Sequence, residues 1–93
     1  MTIKNSETER LFKAILSLKT EEDCGKFFED ICTIKELQSM AQRLDVARLL
    51  KEKKTFAEIV AKTGASTATI SRVNRCLMYG AGGYSKVLKE IEK

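Results

Sequence analysis

Thr67, Ala68, Ser71, Arg72 and Arg75 recur at spacings of one, three and four within the run TATISRVNRCL. A helix built on that run gathers hydroxyls, a methyl group and two guanidinium groups along one side. Such a set carries recognition chemistry: hydroxyls donate and accept hydrogen bonds, a guanidinium donates to base edges or phosphates, and a methyl group packs on the methyl of thymine. Ile70, Val73 and Leu77 recur between them and make an apolar face that must point inward. A helix of this kind, polar outside and apolar inside, has the surface needed to lie in a DNA major groove.

The preceding residues are those needed to position it. Thr55 with Glu58 is a capping-box start, and Phe56, Ile59 and Val60 give a short helix one buried face. Gly64 can take the positive φ of a sharp turn, and Ser66 or Thr67 can cap the next helix. The stretch from about 55 to 79 therefore reads as a helix-turn-helix. In it Thr67, Ala68, Ser71 and Arg75 are expected to face bases, with Ser66 at the start of the recognition helix, while Lys54, Lys62 and Arg72 are expected on phosphates. Val60 stands where a close helix crossing favours a small side chain, which predicts a somewhat wider crossing. The same geometry also serves helical modules that dock on a protein partner in a replication or transcription assembly. A basic, polar face argues mildly against that alternative, because partner-binding surfaces usually expose apolar or aromatic anchors.

Charge is distributed to match. From Met1 to Asp45 there are seven Lys or Arg against nine Asp or Glu, and from Val46 to Lys93 ten against four. The half with the recognition run is the basic half, which would attract phosphates and make affinity depend on salt. The 93 residues contain no histidine and three scattered cysteines, Cys24, Cys32 and Cys76. One chain cannot assemble a four-ligand zinc site from these, and no constellation for catalysis is present, so neither metal, cofactor nor enzymatic activity is expected. No signal peptide or 18-residue apolar run occurs. A cytoplasmic protein without a membrane role, its thiols reduced and packed as small core residues, is the expectation.

With no proline and only five glycines, the chain is free to be helical throughout, and one all-α domain over residues 1–93 is expected. A first helix spans about Ser6 to Leu18, with Leu11, Phe12, Ile15, Leu16 and Leu18 forming a stripe that needs a partner surface. A second opens on Glu21, Glu22 and Asp23 and turns Phe27, Phe28 and Ile31 inward. Thr33 with Glu36 caps the longest helix, to about Lys53, with Leu37, Met40, Leu44, Ala47 and Leu50 or Lys51 as its stripe. After Leu77 the run GAGG between Gly80 and Gly83 breaks the helix, and Ser85 to Glu92 forms a last one on Val87, Leu88 and Ile91.

Thr33-Ile-Lys-Glu-Leu-Gln-Ser-Met-Ala-Gln-Arg43, Leu49-Leu50, Gly64-Ala-Ser-Thr-Ala-Thr-Ile-Ser-Arg72, and Asn74 to Gly80 with Gly82-Gly83-Tyr84 together resemble the Trp-repressor superfamily, in particular its YerC/YecD type. The resemblance covers nearly the whole chain and is weakest before about Asp23. It implies a six-helix subunit with a helix-turn-helix, intertwined through its N-terminal helices with a second copy. The homodimer would present two recognition helices to double-stranded DNA at a palindromic operator and act as a repressor. Tryptophan-sensing members hold their corepressor between two arginines, and the resemblance places Arg43 and Arg72 there, with Thr33 and Thr69 as pocket threonines. Val73 stands where such members have glycine, and Cys76 where they have serine. The added bulk at Val73 fills space beside the indole plane, so L-tryptophan is not expected to be a strong corepressor, and another small-molecule effector is left open.

Overall fold

The computed structural model describes residues 4–92. Among them it shows six helices and no strand: α1 (Ser6–Leu16), α2 (Glu21–Ile31), α3 (Ile34–Lys51), α4 (Phe56–Thr63), α5 (Thr67–Tyr79) and α6 (Gly83–Ile91). The chain divides into two compact units, Met1–Leu37 and Gln38–Lys93, and each is described separately.

In the first unit local chemistry sets the helix ends. Asn5 accepts from the Thr8 N–H and Thr8 accepts from the Asn5 N–H, both at 2.9 Å, a reciprocal box that opens α1. α1 stops at Leu16, two residues earlier than expected, where the Ser17 hydroxyl donates to the Ala14 carbonyl at 2.6 Å. Thr20 caps α2 by accepting from the Asp23 N–H, and three carboxylates in the first turn suit the positive end of the helix dipole. Thr33 and Glu36 form the expected box at the start of α3: the Thr33 N–H donates to the Glu36 carboxylate at 2.8 Å, and the Thr33 hydroxyl accepts from the Glu36 N–H at 3.1 Å. The Thr33 N–H, and after it the Thr33 side chain, hold the Glu36 carboxyl below its usual range. Neither α1 nor α2 contains a buried residue. Phe27 and Phe28 meet edge to face with ring centres 5.5 Å apart, while Leu16 is 83% exposed.

The second unit holds the core: Val46, Ala47 and Leu49 of α3, Ile59 of α4, Ala65 of the turn, Ile70 and Val73 of α5, and Leu88 of α6. Leu44, Leu50, Leu77 and Tyr84 pack on its edge. The stripe expected for α3 holds in its second half, where Ala47 is buried and Leu44 and Leu50 pack on the core, and is corrected in its first. Leu37 and Met40 are exposed, and Val46 and Leu49 join the inward face, because the later turns of α3 meet Ile59, Ile70 and Leu88 in one cluster. α4 is too short to bury a stripe: Ile59 is fully enclosed, whereas Phe56 and Val60, both expected inside, lie on the surface. Ala65, in the turn between the two helices, is the small residue buried there, while Val60 is exposed. In α6 only Leu88 is buried, Val87 and Ile91 are exposed, and the helix begins two residues earlier than expected because Gly82, at φ +87, turns the chain directly into it. The cysteines also depart from expectation. Cys24 and Cys76 are exposed and Cys32 is half-buried, so none of the three is a core residue. No helix among the described residues is long and apolar enough to cross a membrane.

Candidate nucleic-acid interface

The turn between α4 and α5 is built from backbone geometry and one threonine. Thr55 caps α4 by accepting from the Glu58 N–H at 3.2 Å, and Gly64 at φ +72 closes it, its N–H donating to the Val60 carbonyl at 2.9 Å. The Thr63 hydroxyl donates to the Ile59 carbonyl at 2.8 Å and accepts from the Ala65 N–H at 3.1 Å, so the chain is held on both sides of the glycine. Ser66 then caps α5: its hydroxyl accepts from the Thr69 N–H at 3.1 Å and donates to the Thr69 hydroxyl at 3.0 Å. Ser66 is thereby committed to the helix start, with its remaining lone pair open to solvent.

Past that cap the inner and outer faces of α5 separate cleanly. Ile70 and Val73 are at most 1% exposed, and they seat the helix in the core. Thr67, Ala68, Ser71, Arg72 and Arg75 are all exposed on the other side. Among the described residues no hydrogen bond or ion pair engages the hydroxyls of Thr67 and Ser71 or the guanidinium groups of Arg72 and Arg75. Asn74 of α5 is half-buried, and its amide donates to the Met78 sulfur at 3.8 Å.

The surrounding cations are not equivalent. Arg48 is neutralised between Glu52 at 3.0 Å and Asp45 at 3.3 Å, and these carboxylates, Glu52 foremost, raise its pKa further. Lys62 in the last turn of α4 is exposed, and Lys54 is half-buried in the turn after α3. Lys53 beside it is the one non-glycine residue at positive φ among those described, at +66.

The residues assigned to an effector are placed differently. Thr33 belongs to the first unit and spends its hydroxyl on the α3 cap. In the second unit, Thr69 accepts from Ser66, Arg43 is half-buried on α3, and Val73 is enclosed in the core. A concavity of that unit, about 450 Å³, is apolar. It is lined by Leu44, Cys76, the Gly80–Gly83 loop, Tyr84 and Val87, and it includes Cys76 but none of Arg43, Thr69, Arg72 or Val73. A residue missed by sequence reasoning is Gln42, whose side-chain amide donates to the Thr63 carbonyl at 3.1 Å. Nothing in the sequence marks it, since a glutamine between Met40 and Leu44 reads as one more solvated position.

Comparison with known proteins agrees with this architecture over almost the full chain. The protein YerC of Bacillus subtilis (strain 168) is 53% identical over 91 residues, which cover 98% of this chain and 88% of that protein. A crystal structure of a TrpR-like protein from Eubacterium eligens ATCC 27750 superposes with a TM-score of 0.94 at 52% identity, covering 97% of this chain and 93% of that one. A crystal structure from Staphylococcus aureus gives a TM-score of 0.93 at 44% identity, with 97% and 90% covered. The family model described as Trp repressor protein matches residues 6–92. A buried apolar seat, a left-handed glycine turn and an open polar helix face thus occur in a chain that belongs to the Trp repressor family of DNA-binding regulators.

Proposed function

We propose that this chain is a sequence-specific DNA-binding transcriptional regulator, a repressor that acts as a homodimer on a palindromic operator in the cytoplasm. The observation that carries this reading is the division of α5. Ile70 and Val73 are locked into the core, while Thr67, Ala68, Ser71 and Arg75 stand free to meet base edges in the major groove. Arg72, Lys62 and Lys54 flank that face as phosphate ligands, and Arg48 is excluded because Glu52 and Asp45 already neutralise it. The dimer is supported by α1 and α2, which carry Leu11, Phe12, Ile15, Leu16 and Ile31 yet bury no residue within one chain. A second copy supplies the matching apolar surface, and its two-fold axis makes the DNA site palindromic.

DNA binding on this reading does not require L-tryptophan. Val73 is a core residue whose side chain already occupies the space beside α5, and the hydroxyls of Thr33 and Thr69 are engaged in helix caps. The test is selection of sheared genomic DNA by the purified protein near physiological salt, with and without L-tryptophan, read by sequencing. Enrichment of one short palindrome in both arms is the expected result. Enrichment only with tryptophan would overturn the ligand-free reading, and enrichment in neither arm would favour a helical module that docks on a protein partner.

A further inference from the structure

Gln42 lies outside the interface read from the sequence, yet it makes a long-range side-chain contact. Its amide reaches 21 positions along the chain to the Thr63 carbonyl, at 3.1 Å in a half-buried setting. The other side-chain hydrogen bonds described above join residues four or fewer positions apart. The carbonyl it meets is one of the last four of α4, which have no acceptor role within the helix. Thr63 also donates from its hydroxyl to Ile59 and accepts from the Ala65 N–H. Three bonds therefore converge on the residue that precedes the left-handed Gly64.

Helix lengths explain why the contact falls there. α4 has eight residues and spans about 12 Å, and the nine steps from Gln42 to Lys51 span about 13 Å. α4 is joined to the end of α3 by a short turn in which the Lys54 N–H donates to the Leu49 carbonyl at 3.1 Å. A helix folded back along α3 from that turn brings its last residue level with Gln42. One end of α4 is thus held by the chain and the other by the glutamine amide, with Ile59 buried between them. Only Gly64, Ala65 and Ser66 separate this fixed end from α5.

We infer that Gln42 is a positioning residue for the recognition helix: by pinning the end of α4 to α3 it sets the angle at which the polar face of α5 is presented. The inference deepens the DNA-binding reading and rests on it for the role of α5. A neutral amide is the suitable group, because its N–H meets an acceptor at the negative end of a helix. A carboxylate of the same shape has no proton to offer and opposes that carbonyl.

The test uses the full-length protein carrying Gln42→Met, which keeps length and packing but removes the donor, and Gln42→Lys, which restores one. Amide hydrogen exchange without DNA is read at Gly64, Ala65, Thr69 and Ile70 and compared with Val46 to Leu49. Loss of one hydrogen bond is expected to speed exchange around the turn by about tenfold in the Met variant, with little change at Val46 to Leu49. The Lys variant should stay close to wild type. On a duplex selected by the wild-type protein, the Met variant should lose about tenfold in preference over a scrambled duplex and keep its salt slope. Unchanged turn exchange, uniform acceleration through α3 and α6, or failure of the Lys variant to restore protection would each overturn the inference. If the wild-type protein selects no duplex, the DNA-binding reading fails, and exchange at the turn still decides whether Gln42 holds α4.

Discussion

Replacing Gly64 by alanine isolates the cost of a single backbone conformation. A Cβ added there meets no atom within 4 Å, so packing contributes nothing and only the φ of +72 matters. Holding an L-residue in the left-handed region costs about 1–2 kcal/mol. Against this, alanine leaves the unfolded chain with fewer states than glycine, an offset of about 0.4–1 kcal/mol. The expected net loss is about 1 kcal/mol, and Gly64→Asn should lose about half as much because asparagine visits this region more readily. Urea unfolding of both variants at one fixed protein concentration reads the difference, since self-association makes any midpoint concentration-dependent. Gly80 is the contrasting control. Its φ of −85 suits any residue, but a Cβ there would lie 2.5 Å from the Cys76 carbonyl oxygen, which also accepts from the Gly80 N–H at 2.9 Å. Alanine and asparagine at Gly80 should therefore fail alike, by about 1–3 kcal/mol. Gly64→Ala as stable as wild type, or Gly64→Asn worse than Gly64→Ala, would refute the assignment of Gly64's role to its φ.

Lys53 is held at φ +66, so Lys53→Gly should raise the unfolding free energy by about 0.5 kcal/mol once the greater freedom of unfolded glycine is subtracted, read as a higher urea midpoint; an unchanged or lower midpoint would show that the turn carries no strain. Lys54→Ala and Lys62→Ala should weaken binding to every duplex and flatten the logarithmic salt slope by about 0.9 each, whereas Thr67→Ala and Ser71→Ala should change which duplex is preferred; equal behaviour of the two pairs in salt titrations would refute the face assignment. The lowered pKa of Glu36 implies a cap contribution fully present above the pKa of an unfolded carboxylate and lost as pH falls through the folded value. Circular dichroism during acid titration should show wild type losing helix over that window and Glu36→Gln losing less, and superimposable curves would remove the cap from the account.

Helix existence was legible where the signals are local. Thr33 with Glu36, Thr55, Ser66 and Gly64 act over four residues or fewer, and the structure uses each to start or end a helix, although Thr55 caps α4 without the return bond from Glu58 that its box implied. The buried side of α5 was legible for the same reason, as Ile70 and Val73 have no polar competitor on their face. The inward face of α3 was legible only in part. Leu37, Met40, Leu44 and Ala47 recur nearly every seven residues, but Val46 and Leu49 are equally apolar, and only the positions of α4 to α6 decide that Ala47, Val46 and Leu49 are covered while Leu37 and Met40 are not. Gln42 is the limiting case, since its partner lies 21 residues away and a polar side chain carries no periodicity that points to it.

The same distinction bears on the first unit. α1 and α2 are each 11 residues long, below the length at which an isolated helix is stable in water, so capping by Asn5, Thr8 and Thr20 cannot hold them alone. None of their apolar residues is fully buried within the chain, and Phe12, Ile15, Leu16 and Ile31 are exposed, whereas covering one leucine or phenylalanine side chain stabilises by about 1.5–3 kcal/mol. In the proposed dimer that gain arises on association, so ordering of these helices and pairing of two recognition helices become one equilibrium. A polar substitution at Leu11 or Ile15, remote in sequence from α5, should then lower operator affinity through the fraction of paired subunits, and raising the protein concentration should restore it. Substitutions at Thr67 or Ser71 should not be rescued in that way, because they alter the contact and leave the pairing intact.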